Sequence, residues 1–115
     1  MKIGIVSHFD AAHRLPGYDG KCARVHGHTY SVEVVVSGPV GEDGFVMDFY
    51  HLKEALNVVL EQFDHRDLND ILPNPTAEAI VVHMRRLLEE QLDASAVCLV
   101  SIKLWEGENK WVMTD

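Results

Sequence analysis

Three histidines within sixteen residues, His13, His26 and His28, are the side chains of this sequence best suited to holding a reactive centre. His26-Gly27-His28 leads into a β-branched run. Residues two apart on an extended chain point to one side, so both imidazoles can face a common point. Gly27 between them is expected to let the backbone bend toward a metal. His13 ends an earlier strand-like segment, and the intervening loop can fold it back beside the pair. Three neutral imidazoles form a standard catalytic zinc set with a fourth position open to water or substrate. A structural zinc would close four ligands, usually with cysteines, and no Cys-x-x-Cys is present. A lone His-Gly-His is more often a turn; it is His13 that points to a metal, and three imidazoles suit several divalent ions. His8 differs from His13 by an odd number and is expected to point the other way. His51 and His83 fall within helical patterns and read as ordinary surface or partly buried residues.

A second group is Cys22, Asp64 and His65. Cys22 lies four residues before His26, and a thiol near a metal, Lys21 and Arg24 is suited to act as base or nucleophile. Asp64 can orient the imidazole of His65, although such a pair in a polar connector is usually just solvated. Cys98, on an apolar run, reads as an inert small hydrophobe. Glu106, after Trp105 and before Gly107, could accept paired N–H donors from a flat heterocycle, or could be an exposed turn glutamate. Arg14, Lys21 and Arg24 crowd one short window and read either as scatter or as a local pocket for a phosphorylated ligand.

These residues need elements to position them. Residues 2–9 alternate enough for a strand, and 29–37 are rich in β-branched side chains. Pro16, Gly17, Asp19 and Gly20 supply the turn between them. Phe49, Leu52, Leu56, Val59, Leu60 and Phe63 recur at helical spacing behind the candidate cap Asp48. Ala77, Ile80, Val81, Met84, Leu87, Leu88 and Leu92 mark a second helix, with Thr76 as cap and Glu78 in the first turn. Residues 96–105 and 110–114 read as two more strands joined by a turn at Gly107 and Asn109. The order β-β-α-α-β-β predicts one α+β domain over 1–115, a four-stranded antiparallel sheet with both helices on one face. Val34, Val35 and Val36 make both faces of the second strand apolar. Two helices cover one face only, so the other face and the sheet edges call for copies of the same chain.

Composition bounds the function classes. The formal net charge of −8 disfavours nucleic acid and anionic membrane, whose binding rests on Lys and Arg. No apolar run approaches the ~18 residues that span a bilayer, and no basic-plus-apolar leader opens the sequence. Two cysteines do not make a disulfide framework. A soluble cytosolic protein with reduced thiols is the expectation.

Taken in order, Phe9-Asp10-Ala11-Ala12-His13-Arg14-Leu15, Cys22-x-x-x-His26-Gly27-His28, Asp64-His65 with Leu68-Asn69, Asn74-Pro75-Thr76-Ala77-Glu78, and Glu106 resemble the 6-pyruvoyl-tetrahydropterin synthase family across essentially the whole chain. Within it they look most like the bacterial 6-carboxy-tetrahydropterin synthases of queuosine biosynthesis. The resemblance implies subunits that join through their sheets into barrels, commonly hexamers, with active sites between subunits. It implies zinc on His13, His26 and His28, Cys22 as general base, an Asp64/His65 relay, and Glu106 anchoring the pterin's amino-pyrimidine edge. Arg24 and Thr76 are further candidates for substrate contact. The implied substrate is 7,8-dihydroneopterin triphosphate, which loses triphosphate and, in the carboxy-forming branch, acetaldehyde. The Cys-x-x-x-His-Gly-His spacing resembles that branch, since animal pyruvoyl synthases generally have a longer gap. Cys22, rather than Glu, argues against aldol-type variants. Phe63, where the family often has Leu, is a conservative departure. A pyruvoyl-forming synthase and a non-catalytic pterin- or metal-binding module are the competing readings.

Overall fold

A computed structural model describes residues 1–115. Its backbone is a long hairpin: β1 (Lys2–His13) and β2 (His26–Ser37) pair antiparallel without a break from Lys2↔Ser37 to His13↔His26. β4 (Cys98–Glu106) adds to the other edge of β2, with a register shift between Val35 and Val36, and β5 (Trp111–Met113) returns along β4. Gly107, at φ 72°, makes the turn between them, in a left-handed conformation that other residues adopt at a cost.

Two helices cover one face of the sheet. Asp48 accepts a hydrogen bond from Tyr50 N at 2.8 Å and starts α1 (Phe49–Leu60). Thr76 accepts one from Ala79 N at 3.1 Å and starts α2 (Ala77–Leu92). Strand alternation sends Val32, Val34 and Val36 of β2 and Ile102 and Leu104 of β4 beneath Leu52, Leu56, Val59, Ile80, Met84 and Leu88, all fully buried. No helix is long and apolar enough to cross a membrane.

The sheet differs from expectation in two ways. Both hairpin strands run further, so His13, His26 and His28 lie inside the ladder. Ala11, Ala12 and Gly27 are poor strand formers by type, but cross-strand pairing outweighs propensity. The sheet is also five-stranded and mixed, with a short strand β3 (Arg66–Asp67) giving the order β3-β1-β2-β4-β5, rather than four-stranded and antiparallel. The extra strand lies parallel to Ala11 and Ala12. His65 turns the chain at φ 57° and its N–H donates to Asp10 O at 2.6 Å, which lays the connector along β1. The sheet stays open. Its uncovered face carries Val6, 61% exposed, and Val35 among polar neighbours such as Glu33 and Lys103. The Lys103 ammonium sits 4.7 Å and 4.0 Å from the ring centroids of Trp105 and Trp111.

Candidate metal centre and active site

The open end of the hairpin brings the three histidines together. His13 pairs with His26 in register, and His28 sits two residues along, opposite Ala11, so all three side chains leave the helix-covered face. Ring centroids are 4.6, 5.1 and 4.9 Å apart, and one nitrogen from each ring lies within 4.8 Å of the others. His13 Nδ1–H donates to Pro75 O at 2.7 Å and His26 Nδ1–H to Arg24 O at 2.7 Å. Those bonds place each Nε2 lone pair on the side away from the carbonyl. His13 Nε2 and His28 Nε2 are buried with no hydrogen-bond partner. Burial lowers the His28 pKa below the ordinary imidazole range, and the other two histidines push the same way against the opposing Glu106 carboxylate. Neutral, orphaned imidazole nitrogens around one point are what a zinc ion requires. The donor set fits the metal.

Gly27 does not act as expected. It takes ordinary extended backbone, and a Cβ there would only reach contact with Ala11 O at 3.7 Å. Strand alternation alone aims the imidazoles.

Glu106, at the end of β4, joins the centre. Its Oε1 is 3.4 Å from His28 Nε2 and 3.8 Å from Lys110 Nζ. With Thr76, Leu15, Tyr18, Lys110 and Trp111 it lines a cavity of about 430 Å³. Thr76 therefore faces the candidate substrate space while its hydroxyl caps α2. Arg24 reaches the centre only through its carbonyl oxygen; the side chain is exposed. Cys22 is half-buried in a single 3-10 turn, Lys21–Ala23, and its carbonyl accepts from Leu15 N at 2.7 Å. The Cys22 sulfur does not join the three imidazoles within 4.8 Å.

Asp64 and His65 form their pair elsewhere. Asp64 Oδ2 is 3.0 Å from His65 Nδ1, and its Oδ1 accepts from Asp10 N at 3.0 Å. The Asp10 N–H first, and then His65, hold the Asp64 carboxyl below the usual carboxylate range; the same contact raises His65. Thr29 donates to Asp10 Oδ1 at 2.5 Å, and this in-register pair leaves the sheet on the face opposite the three histidines. There a cavity of about 610 Å³ is lined by Asp10, Gly27, His28, Thr29, His65 and Arg66. Within one chain the dyad and the metal centre are back to back.

Sequence reasoning missed Tyr30. It continues the alternation His26-x-His28-x-Tyr30, is fully buried, and stands edge-on to His13 and His28 with its hydroxyl unpartnered. Burial and Glu106 raise its pKa. The period-two pattern was the available signal.

A pterin-synthase fold with an imidazole cage at the end of a long hairpin defines the class. The chain belongs to the 6-pyruvoyl tetrahydropterin synthase family, whose sequence profile matches residues 2–115. A relative from Archaeoglobus fulgidus, provisionally named a 6-carboxy-5,6,7,8-tetrahydropterin synthase, is 44% identical over 96% of this chain and 92% of its own. A dihydroneopterin monophosphate aldolase from Pyrococcus furiosus is 40% identical over 93% and 92%. Among solved structures, Caenorhabditis elegans 6-pyruvoyl tetrahydropterin synthase superposes with a TM-score of 0.87 at 26% identity, over 99% of this chain and 94% of that one.

Proposed function

We propose that the chain is a single-domain, zinc-dependent enzyme of the carboxy-forming branch. It converts 7,8-dihydroneopterin triphosphate and one water to 6-carboxy-5,6,7,8-tetrahydropterin, acetaldehyde and triphosphate in queuosine biosynthesis. The observation that carries this reading is the convergence of His13, His26 and His28 beside Glu106, with Cys22 in the same hairpin loop. Bound zinc supplies Lewis acidity, which makes a C–H next to coordinated side-chain hydroxyls easier to deprotonate. His13 and His26 present their Nε2 atoms because Pro75 O and Arg24 O hold the other ring nitrogen. Glu106 accepts N–H groups from the amino-pyrimidine edge of the pterin, with Thr76 at the mouth of the same cavity and Arg24 available to the phosphates. Cys22 moves the side-chain proton.

Asp64 and His65 complete the relay from a neighbouring subunit, because they face away from the imidazoles of their own chain. The uncovered sheet face and the free edges at β3 and β5 support a homo-oligomer, with a hexamer favoured. Both cysteines are free, which suits a cytoplasmic setting. The acidic balance and the absence of a long apolar helix support a small-molecule substrate rather than nucleic acid or membrane.

The relative named dihydroneopterin monophosphate aldolase supports a second reading, aldol-type cleavage of a dihydroneopterin phosphate. Cys22, where aldol-type members of the family carry Glu, favours the synthase. Zinc-loaded protein incubated with dihydroneopterin triphosphate separates the readings. Acetaldehyde together with triphosphate is expected. Triphosphate without acetaldehyde identifies a pyruvoyl-forming synthase, a hydroxymethyl pterin an aldolase, and bound but unchanged pterin a binding module.

A further inference from the structure

We propose that Asn69 is a positioning residue of the metal centre, a side-chain clamp on the backbone that carries His13. The proposal rests on the zinc reading above. Its carboxamide grips one residue 55 positions away at both ends: Arg14 N–H donates to Asn69 Oδ1 at 2.8 Å, and Asn69 Nδ2–H donates to Arg14 O at 2.9 Å. An amide that satisfies both the N–H and the C=O of one residue does what an adjacent strand does. It does so at the point where β3 runs out.

The whole connector closes along one edge of β1 in this way. Asp64 and His65 hold Asp10, Arg66 and Asp67 pair with Ala11 and Ala12, and Asn69 holds Arg14. His13 is the residue between the last ladder pair and the clamp. The backbone that carries the carboxamide is itself held, because Asn69 N–H donates to Asp67 Oδ1 at 3.0 Å and neighbouring Leu68 is 1% exposed. Arg14 otherwise begins an exposed loop. Without the clamp the end of β1 keeps its pairing with β2, through His26 and the Leu15–Cys22 bond, but has no partner on its other edge. His13 would then be held from one side of its strand and by the Pro75 carbonyl bonded to its ring, and would sample a wider range of positions.

Ligand groups held in place by outer partners bind metal more tightly, and loss of such a partner typically lowers affinity 10- to 100-fold. The test measures zinc affinity by competition with a chromophoric chelator, and the visible spectrum of the cobalt(II)-loaded protein. Asn69→Ala is expected to weaken zinc binding by about 10- to 100-fold and to alter the cobalt spectrum. Asn69→Asp keeps the acceptor for Arg14 N–H and lacks the donor to its carbonyl; it is expected to fall between Asn69→Ala and the parent. Leu88→Ala, destabilised in the core far from the hairpin end, is expected to keep the parent's affinity. Parent affinity with an unchanged spectrum in Asn69→Ala would overturn the clamp, as would an equal loss in Leu88→Ala. If Asn69→Ala does not fold, Asn69→Asp decides alone. A parent chain that binds no zinc overturns the metal centre and the clamp with it. Which product the enzyme makes does not enter the measurement.

Discussion

At the scale of single residues, the proposed chemistry divides between groups that would hold the metal and groups that would react. The three imidazoles are the holding groups: two have their Nδ1 atoms tied to carbonyls, and His28 is half-buried beside Glu106. Cys22 stands apart from them. Cys22→Ala is therefore expected to abolish turnover while zinc content stays at the parent level, whereas His26→Ala loses the metal, because two imidazoles make a poor site. Elemental analysis beside the product assay checks both; loss of zinc from Cys22→Ala would contradict the division. The Asp64–His65 pair carries a pH signature. The Asp64 pKa is depressed, so its contribution to stability is present above about pH 4 and is lost as pH falls through the folded value. The His65 pKa is raised, so its contribution is complete below about pH 6.5 and is lost as pH rises through the folded value. Asp64→Asn retains an acceptor for Asp10 N–H and removes the charge. The stability gap between parent and Asp64→Asn should be widest between those two pH values and narrow on both sides. Denaturant midpoints from about pH 2 to about pH 8.5, roughly two units beyond the pair on each side, would show a flat gap if the two groups are not coupled.

Elements explain why these residues meet. Twelve-residue strands carry the core face of the hairpin beyond the helices, and the metal centre is that face continued past its apolar part, from Val32 through Tyr30 to the histidines. α2 contributes at its amino end, where Thr76 caps the helix and Pro75 O accepts the hydrogen bond from His13 Nδ1–H. α1 is a scaffold by comparison. Asp48→Ala, which removes its cap, should cost about 1 kcal/mol of stability in urea unfolding and leave zinc affinity unchanged. A change in zinc affinity would place α1 closer to the site than its position in the fold indicates.

The whole molecule is where the two halves of the chemistry separate. The histidine side chains leave one face of the sheet, and the Asp64–His65 pair sits with Asp10 and Thr29 toward the other, which motivates the proposal of a site shared between chains. In the proposed symmetric assembly each site would draw its dyad from another copy. Cys22→Ala and Asp64→Asn proteins, each inactive alone, should therefore recover activity when unfolded and reassembled together. Equal random mixing predicts roughly a quarter of parent activity, since each site then needs an intact residue from each of two chains. No recovery in a mixture shown by sedimentation to exchange subunits would refute the composite site.

Much of this was legible in residue types and spacing. Both helices, their caps and the histidine triad follow from local periodicity, because helix and strand repeats depend on neighbours in sequence. The family follows from ordered motifs. What tertiary structure alone decided is set by contacts between distant residues. The parallel strand at Arg66–Asp67 exists because His65 turns the chain onto Asp10, and Asn69 grips Arg14 across 55 positions. No two-residue strand or side-chain clamp leaves a periodic trace. The placement of Asp64 and His65 behind the sheet likewise depends on which edge the connector follows, a choice made by hydrogen bonds between segments far apart in the chain.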